Sequence, residues 1–477
     1  MNALVAFSIV ALVVVGTILF ALFSLRRFPS DPQQYLVGGR SFGTILLWVL
    51  LAGEIYTSFT FLGAAGWAYG YGAPAFYILA YGTCGYVIGY FLLPAVWRVA
   101  NERRLLTGPD FFLDRYGSRA LAIGIALLQF AALVPYVTLQ LSGLQTILRI
   151  IGYGGVDSTL AVTIAFVAIV LFVFTAGLRG TAWASVVKDL LVLGAVVFAG
   201  IVIPTQFFGS PAAMFDQLLR THPSMLSLAP GTAPRGTVWF VTTVLMTGIG
   251  FYMNPASMNA TYSARSENVL RRNAMLLPLY QLVMLLVFMA GFAALLIAPG
   301  LHGAAVDQSF LLVVQRYYPP WVMGVVAAAG ALAALVPSSA LLLGAAGVFA
   351  KNVLGDGLGI ATSERGRMRA MRVLVLVVGA LSLAFWAIER DKTIVELLLL
   401  YYNGITQLAP GMIAAFVLPR ATAGSVAAGI AAGLAVVVYL VLTGAPFFGI
   451  NPGFAGLVAN VAVLLLFSRP SGSSAAT

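Results

Sequence analysis

Residues 51–63 read Leu51-Ala52-Gly53-Glu54-Ile55-Tyr56-Thr57-Ser58-Phe59-Thr60-Phe61-Leu62-Gly63, inside an apolar run that extends over 43–66. As a helix the run is long enough to cross a hydrocarbon core, which takes about 20 residues. Yet a carboxylate sits about eleven residues into it, near the bilayer midplane, where an ionisable side chain is costly and marks function. Gly53, Gly63 and the hydroxyls between them suit a helix that breaks in mid-membrane and turns backbone groups toward a cavity. A second run, 237–256, carries Gly248-Ile249-Gly250-Phe251-Tyr252-Met253-Asn254-Pro255, and proline removes a donor where glycine already yields. Two interrupted spans in corresponding places of two halves point to a transporter site.

Eleven more apolar runs flank these two, at 4–24, 74–98, 120–148, 158–177, 183–206, 274–298, 320–348, 370–388, 394–418, 422–443 and 450–468. Of 477 residues 61% are hydrophobic and 9% charged, against about 25% charged in a soluble chain. Such a composition excludes a soluble multidomain enzyme and a disordered chain. Cys84 is the lone cysteine, which excludes a disulfide scaffold. The expectation is an all-α polytopic membrane protein of 13 transmembrane helices forming a single domain over 1–477. The interrupted runs each open a set of five, so segment order predicts inverted repeats over 43–207 and 237–418. An extra N-terminal helix then falls in 1–30, and two further helices with a short tail in 419–477.

The net charge is +11, and its distribution gives orientation. No basic residue precedes the first run and Arg26-Arg27 follow it, the reverse of a secretory signal, so the N-terminus is read as outside. Alternating from there, and leaving Lys188 aside, the cytoplasmic loops hold 19 Lys and Arg and the outward loops 6. That asymmetry favours an N-out, C-in topology. The basic loops, including the stretch Lys351–Arg372, face anionic lipid, and no nucleic acid is implied. No soluble effector domain is expected after the last run.

Three ionisable residues lie well inside runs: Glu54, Lys188 and Asp189; Glu396 is read as interfacial. Glu54 is either a proton or substrate-site acid, or a protonated carboxyl bonded to a neighbouring helix. Lys188 lies near a cytoplasmic end, so its stem can snorkel to the interface; Asp189 is its counter-charge or faces the same vestibule. Further polar residues gather in 120–148 (Tyr136, Gln140, Ser142, Gln145) and 394–418 (Tyr401, Tyr402, Asn403, Gln407). For each alone, interhelical hydrogen bonding is the commoner role. The pairs Gly85/Gly89 and Gly429/Gly433 have the spacing of close helix packing. His222 and His302 fall in outward loops, and no nucleophile–base or metal-ligand set is present, so no enzyme is expected.

The chain resembles the sodium:solute symporter family. Tyr35-Leu36-Val37-Gly38-Gly39-Arg40-Ser41 is similar to the family's lead into its first core helix, and Thr175-Ala176-Gly177-Leu178-Arg179-Gly180-Thr181-Ala182-Trp183 to its signature. Within the family it looks most like the bacterial monocarboxylate permeases. The pieces are Gly53-Glu54-Ile55-Tyr56-Thr57, Pro135-Tyr136, Val187-Lys188-Asp189, Gly250–Met253 and, longest, Tyr262–Asn273. The resemblance implies a LeuT-like fold with substrate at the midplane between two broken helices. A small monocarboxylate such as pyruvate, lactate or acetate suits half-helix N-termini, which carry partial positive charge. Carried over by position, Gly53, Tyr56, Thr57, Thr60, Tyr136, Gln140, Tyr252, Asn254, Tyr402, Asn403 and Gln407 would bind it. Relatives often have a Trp-Pro-His-like stretch where this chain has Asn254-Pro255-Ala256, which leaves the particular substrate open.

The resemblance also implies a coupling sodium ion, held by the carbonyls of Gly53 and Tyr56 and by two adjacent hydroxyls on the run 320–348. Ungapped alignment puts Val336-Pro337 at those hydroxyl positions, and neither offers a side-chain oxygen. Ser338-Ser339 would serve only after a two-residue shift, about 200° around a helix. The expectation is therefore a degraded sodium site, with the Lys188 ammonium near the vacated position or Glu54 titrating in its place. The full reading is an alternating-access importer of small organic anions in a bacterial inner membrane, acting as a monomer. The alternatives are a sodium-coupled sugar, amino-acid or vitamin carrier and a transporter-like sensor.

Overall fold

The computed structural model describes residues 1–25, 38–53, 55–360 and 363–468, and helices account for most of them. Glu54, Arg26, Arg27 and Tyr35–Val37 lie outside the described residues, as do the side chains of 175–180. The helices used below are α1 (Asn2–Leu25), α2 (Thr44–Gly53), α3 (Ala64–Tyr71), α4 (Tyr77–Glu102), α5 (Gly108–Tyr116), α6 (Arg119–Ile151) and α7 (Ser158–Val197). They continue with α8 (Thr237–Gly250), α9 (Pro255–Ser263), α10 (Glu267–Gln281), α11 (Met284–Ile297), α12 (Pro320–Val348) and α13 (Glu364–Ile388). The last are α14 (Ile394–Ile405), α15 (Ala409–Val417), α16 (Ala423–Thr443) and α17 (Pro452–Phe467).

Eight helical stretches among the described residues are long and apolar enough to cross a membrane. The other five expected runs are shorter or interrupted among the described residues, so eight of the thirteen expected spans are full-length by this measure. The run 43–66 stops at Gly53 and resumes through a π-turn at Phe59–Gly63 into α3. The run 237–256 stops at Gly250 and restarts at Pro255, with Asn254 capping α9 by accepting the Ser257 amide. Proline at the first helical position is favourable, because its missing N–H has no intrahelical partner there. The run 394–418 passes through a tight 3₁₀ turn at Thr406–Leu408 between α14 and α15.

The runs 158–177 and 183–206 join as one helical stretch, yet its two ends reach the same side. Ser158 at the start accepts from Gln145, and Gln206 beyond the end accepts from Tyr318. Gln315, close to Tyr318, bonds the Ile150 carbonyl near Gln145. A straight helix of 40 residues would span about 60 Å, so the chain doubles back inside α7.

Helix α12 is the axis of the molecule, with 94% of its most apolar window buried. Small residues make that possible: a Cβ on Gly330 would fall 2.8 Å from Ile147 and 2.9 Å from Phe61. The glycine pairs lie at contacts as expected. Gly85 and Gly89 on α4 meet Phe251 and Tyr252, while Gly429 and Gly433 on α16 meet Asn460 and Gln407. The outer face is apolar, with Leu12, Phe91, Leu442 and Leu466 exposed, which suits a lipid solvent. One parallel bridge ties the start of the first interrupted span to the end of the second: Phe42 donates to Ser263 and accepts from Arg265.

Candidate functional site

Helix α2 ends at Gly53, and the last carbonyls of a helix lack intrahelical donors and carry partial negative charge. The amides of Ile55 and Tyr56 both turn back to the Ala52 carbonyl, at 2.9 and 3.4 Å. The carbonyls of Gly53 and Tyr56 instead receive Lys188 of α7, whose Nζ donates to them at 2.7 and 3.0 Å. Asp189 Oδ1 stands 2.9 Å from the same nitrogen. Lys188 is fully buried, so its stem runs inward to the helix break and not to the interface. An ammonium has three donors and no acceptor, and three oxygens surround this one. Glycine at position 53 keeps this approach close: a Cβ there would fall 2.9 Å from Ser185 Oγ and 3.6 Å from Lys188 Nζ.

The sodium ion that the resemblance implies does not fit this arrangement. Its two carbonyl ligands are taken by the ammonium. A second unit charge about 4 Å away would be repelled by about 4 kcal/mol at an effective dielectric of 20. Helix α12 runs through Pro337 as one helix and gives no two-residue shift. Ser338 Oγ donates to the Ala334 carbonyl at 2.6 Å, and Ser339 Oγ pairs with Thr181 Oγ1 at 2.9 Å.

Beyond the break, the amides that open the second half of the first span are already engaged. Thr57 N–H donates to Thr60 Oγ1, Phe59 N–H to Thr57 Oγ1, and Ser58 N–H to Gln140 Oε1. Thr57 and Gln140 thus act as caps, and this half-helix start is not a free anion cradle. A cavity of about 30 Å³ lies where the two interrupted spans meet. Of the expected substrate residues, Thr60, Tyr136, Asn254 and Tyr402 line it. Tyr81, Ser257 and Gln281 line it too, with Ile55, Phe59, Phe251 and Met284 as apolar wall. Gln281 is held in place by Tyr86, whose hydroxyl donates to Oε1, and by the Ile78 carbonyl, which accepts from Nε2 at 3.0 Å.

The remaining expected residues lie elsewhere. Gly53 and Tyr56 face Lys188 through their carbonyls, and the Tyr56 hydroxyl donates to the Tyr280 carbonyl at 3.3 Å. Tyr252 packs its ring on Phe251 and Gly89. Gln407 Nε2 donates to the carbonyls of Asn403 and Gly453, and its Oε1 accepts from Asn460, so Gln407 bonds α17. Asn403 abuts Gly453 at that same seam. The Tyr262–Asn273 motif is a staple: Glu267 takes both Arg98 nitrogens at 2.9 and 3.0 Å, and Asn273 donates to the Thr44 carbonyl.

Away from the cavity, Asp307 is buried against Gly66 of α3 and accepts the Ile394 amide at 2.8 Å, capping α14. Glu396 forms a capping box with Thr393 and lies 3.3 Å from Arg235, whose guanidinium covers the Tyr71 ring at 3.9 Å. Burial pushes the Asp307 carboxyl up to about 7, with Glu396 adding repulsion and the Ile394 amide opposing both.

Comparison with known proteins agrees with the architecture. Residues 35–445 match the model of the sodium:solute symporter family. An uncharacterised symporter of Bacillus subtilis, YhjB, is 40% identical, with 98% of each chain covered. A monocarboxylate transport permease protein of Rhizobium johnstonii is 29% identical over 73% of this chain and 70% of its own. Among solved structures, a Na+-coupled sialic acid symporter in a substrate-bound outward-open state superimposes with a TM-score of 0.78. It covers 98% of both chains at 18% identity.

Proposed function

The chain belongs to the sodium:solute symporter family, and on that premise we propose that it imports a small organic monocarboxylate by alternating access. The observation that carries the reading is the cavity at the meeting of the two interrupted spans. A volume of about 30 Å³ holds about two water-sized centres, which favours a solute of few heavy atoms over a sugar or vitamin. Its walls supply hydroxyls from Tyr81, Tyr136, Tyr402 and Ser257, donors suited to a carboxylate, over an apolar floor suited to a short carbon chain. The likeness to a monocarboxylate permease supports the same substrate class. The carrier sits in a bacterial inner membrane with its N-terminus outside and works as a monomer, and the test below separates a proton drive from a sodium drive.

The test is uptake of labelled pyruvate, lactate and acetate into proteoliposomes, with each gradient imposed separately. Saturable uptake of a carboxylate, competed by the others, is expected. Transport of glucose or an amino acid with no carboxylate uptake would replace the substrate class; ligand binding with no flux of any kind would make the chain a sensor.

A further inference from the structure

We propose that the Lys188 ammonium is a tethered cation that permanently fills the ion seat at the break of the first interrupted span, so that the protein cycles without bound sodium. The inference rests on the transport reading above only for its flux measurement. Four features of the geometry carry it. The ammonium satisfies the two orphaned carbonyls, Gly53 at 2.7 Å and Tyr56 at 3.0 Å, at ordinary hydrogen-bond lengths. Asp189 Oδ1, 2.9 Å away, balances its charge as an ion pair. Fully buried, it lies in a seat that bulk cations reach only by displacing it. The hydroxyls of α12 are not partners of the ammonium: Ser338 donates to its own helix and Ser339 pairs with Thr181 of α7.

A tethered ion differs from a diffusible one in a way that can be measured. Dissolved sodium binds by mass action, so it stabilises the protein in proportion to its concentration and leaves when diluted. A lysine at one-to-one stoichiometry does neither. Its bond between α2 and α7 breaks only when those helices move apart, and the break carries no sodium across the membrane. Removing the side chain empties the seat while leaving both carbonyls and Asp189, a set of hard oxygen donors that accepts a small monovalent cation.

The experiment compares thermal stability and ²²Na+ binding of the purified full chain in sodium and in choline, then repeats it with Lys188→Ala and Lys188→Met. For the wild type, no sodium-dependent shift and no bound ²²Na+ are expected, and exchanging sodium for choline changes carboxylate uptake less than twofold. Lys188→Ala is expected to be less stable in choline and to regain stability as sodium is added, with about one ²²Na+ bound; Lys188→Met, which fills the space, regains less. Sodium binding or stabilisation in the wild type overturns the proposal, and that measurement holds even if neither variant folds. A folded Lys188→Ala that is indifferent to sodium also overturns it. Failure of carboxylate uptake in every condition strikes the substrate reading alone, since the binding arms need no substrate.

Discussion

Asp189 is the one carboxylate within contact of the buried Lys188 ammonium among the described residues, at 2.9 Å, and it is 13% exposed. Removing one partner of a buried pair leaves an uncompensated charge and costs more than the pair itself contributes. Asp189→Asn should therefore destabilise the protein by roughly 2–4 kcal/mol, read as a lower thermal midpoint in detergent. Adding Lys188→Met to it should recover most of the loss, and a double variant no better than the single one would mean that the pair is not coupled. Asp307 is a different case, a buried acid without a cation in contact among the described residues. Its carboxyl lies near 7, well above the ordinary 3.8, so between about pH 4 and 7 the folded chain holds a proton that the unfolded chain has released. Stability then falls as pH rises through that window, and the deficit is complete above it. The charged groups around it are Glu396, which adds repulsion, and Arg235, which faces Glu396 and Tyr71. Asp307→Asn keeps an oxygen for the Ile394 amide and removes the charge. It should raise the midpoint at pH 8 by on the order of 1–3 °C and change it little near pH 4; a lower midpoint at pH 8 would show that the charge itself holds the cap.

The helix breaks were legible in the sequence because glycine and proline act locally. Gly53 ends α2, while Gly250 and Pro255 bracket the second interruption. What lines the cavity was legible only in part, since the sequence does not say which face of a span turns inward. Gln281 and Ser257 each sit in stretches whose role is fixed by packing, the first beneath Tyr86 and the second beside Asn254. Asp307 and Asp110 escaped notice because their burial comes from tertiary contact: Asp110 accepts Lys351 at 2.6 Å and Asn352 at 2.7 Å from the end of the α12 span. The opposite error concerns Gln407, since a polar residue in an apolar run serves helix packing as readily as ligand binding. Two substitutions separate these roles. Gln407→Leu removes bonds to Asn403, Gly453 and Asn460 and should cost about 1–3 kcal/mol of stability, with the KM for substrate within twofold of wild type. Asn254→Ala takes both the α9 cap and a wall of the cavity, so KM should rise about tenfold, while Asn254→Ser, which restores the cap (about 1 kcal/mol), should recover stability without recovering KM. A tenfold KM change in Gln407→Leu would return that residue to the site.

At the scale of the whole molecule, the charge pattern and the fold make one claim together about orientation. The stretch Lys351–Arg372 lies at one end of α12 and α13, and the loop of 209–236 follows α7, beyond Phe208. If the excess of basic residues in alternate loops, 19 against 6, marks the cytoplasmic side, the first should lie inside and the second outside. The chain is suited to a direct test because Cys84 is its lone cysteine. Replacing Cys84 with Ala gives a background onto which Ser227→Cys and Ser363→Cys can be placed singly, and both serines are exposed. In intact cells a membrane-impermeant maleimide should label Cys at position 227 and leave position 363 untouched until the membrane is opened. The reverse pattern would invert every loop, placing Asp307 and the Arg235–Glu396 pair on the cytoplasmic face and the Glu267 staple outside. Because the interrupted spans meet between these two faces, the same pair of labels can follow the cycle. If access alternates, substrate should change the labelling rates at cavity-lining positions such as Ser257 while leaving positions 227 and 363 unchanged, and equal shifts at all three would indicate general loosening in place of gated access.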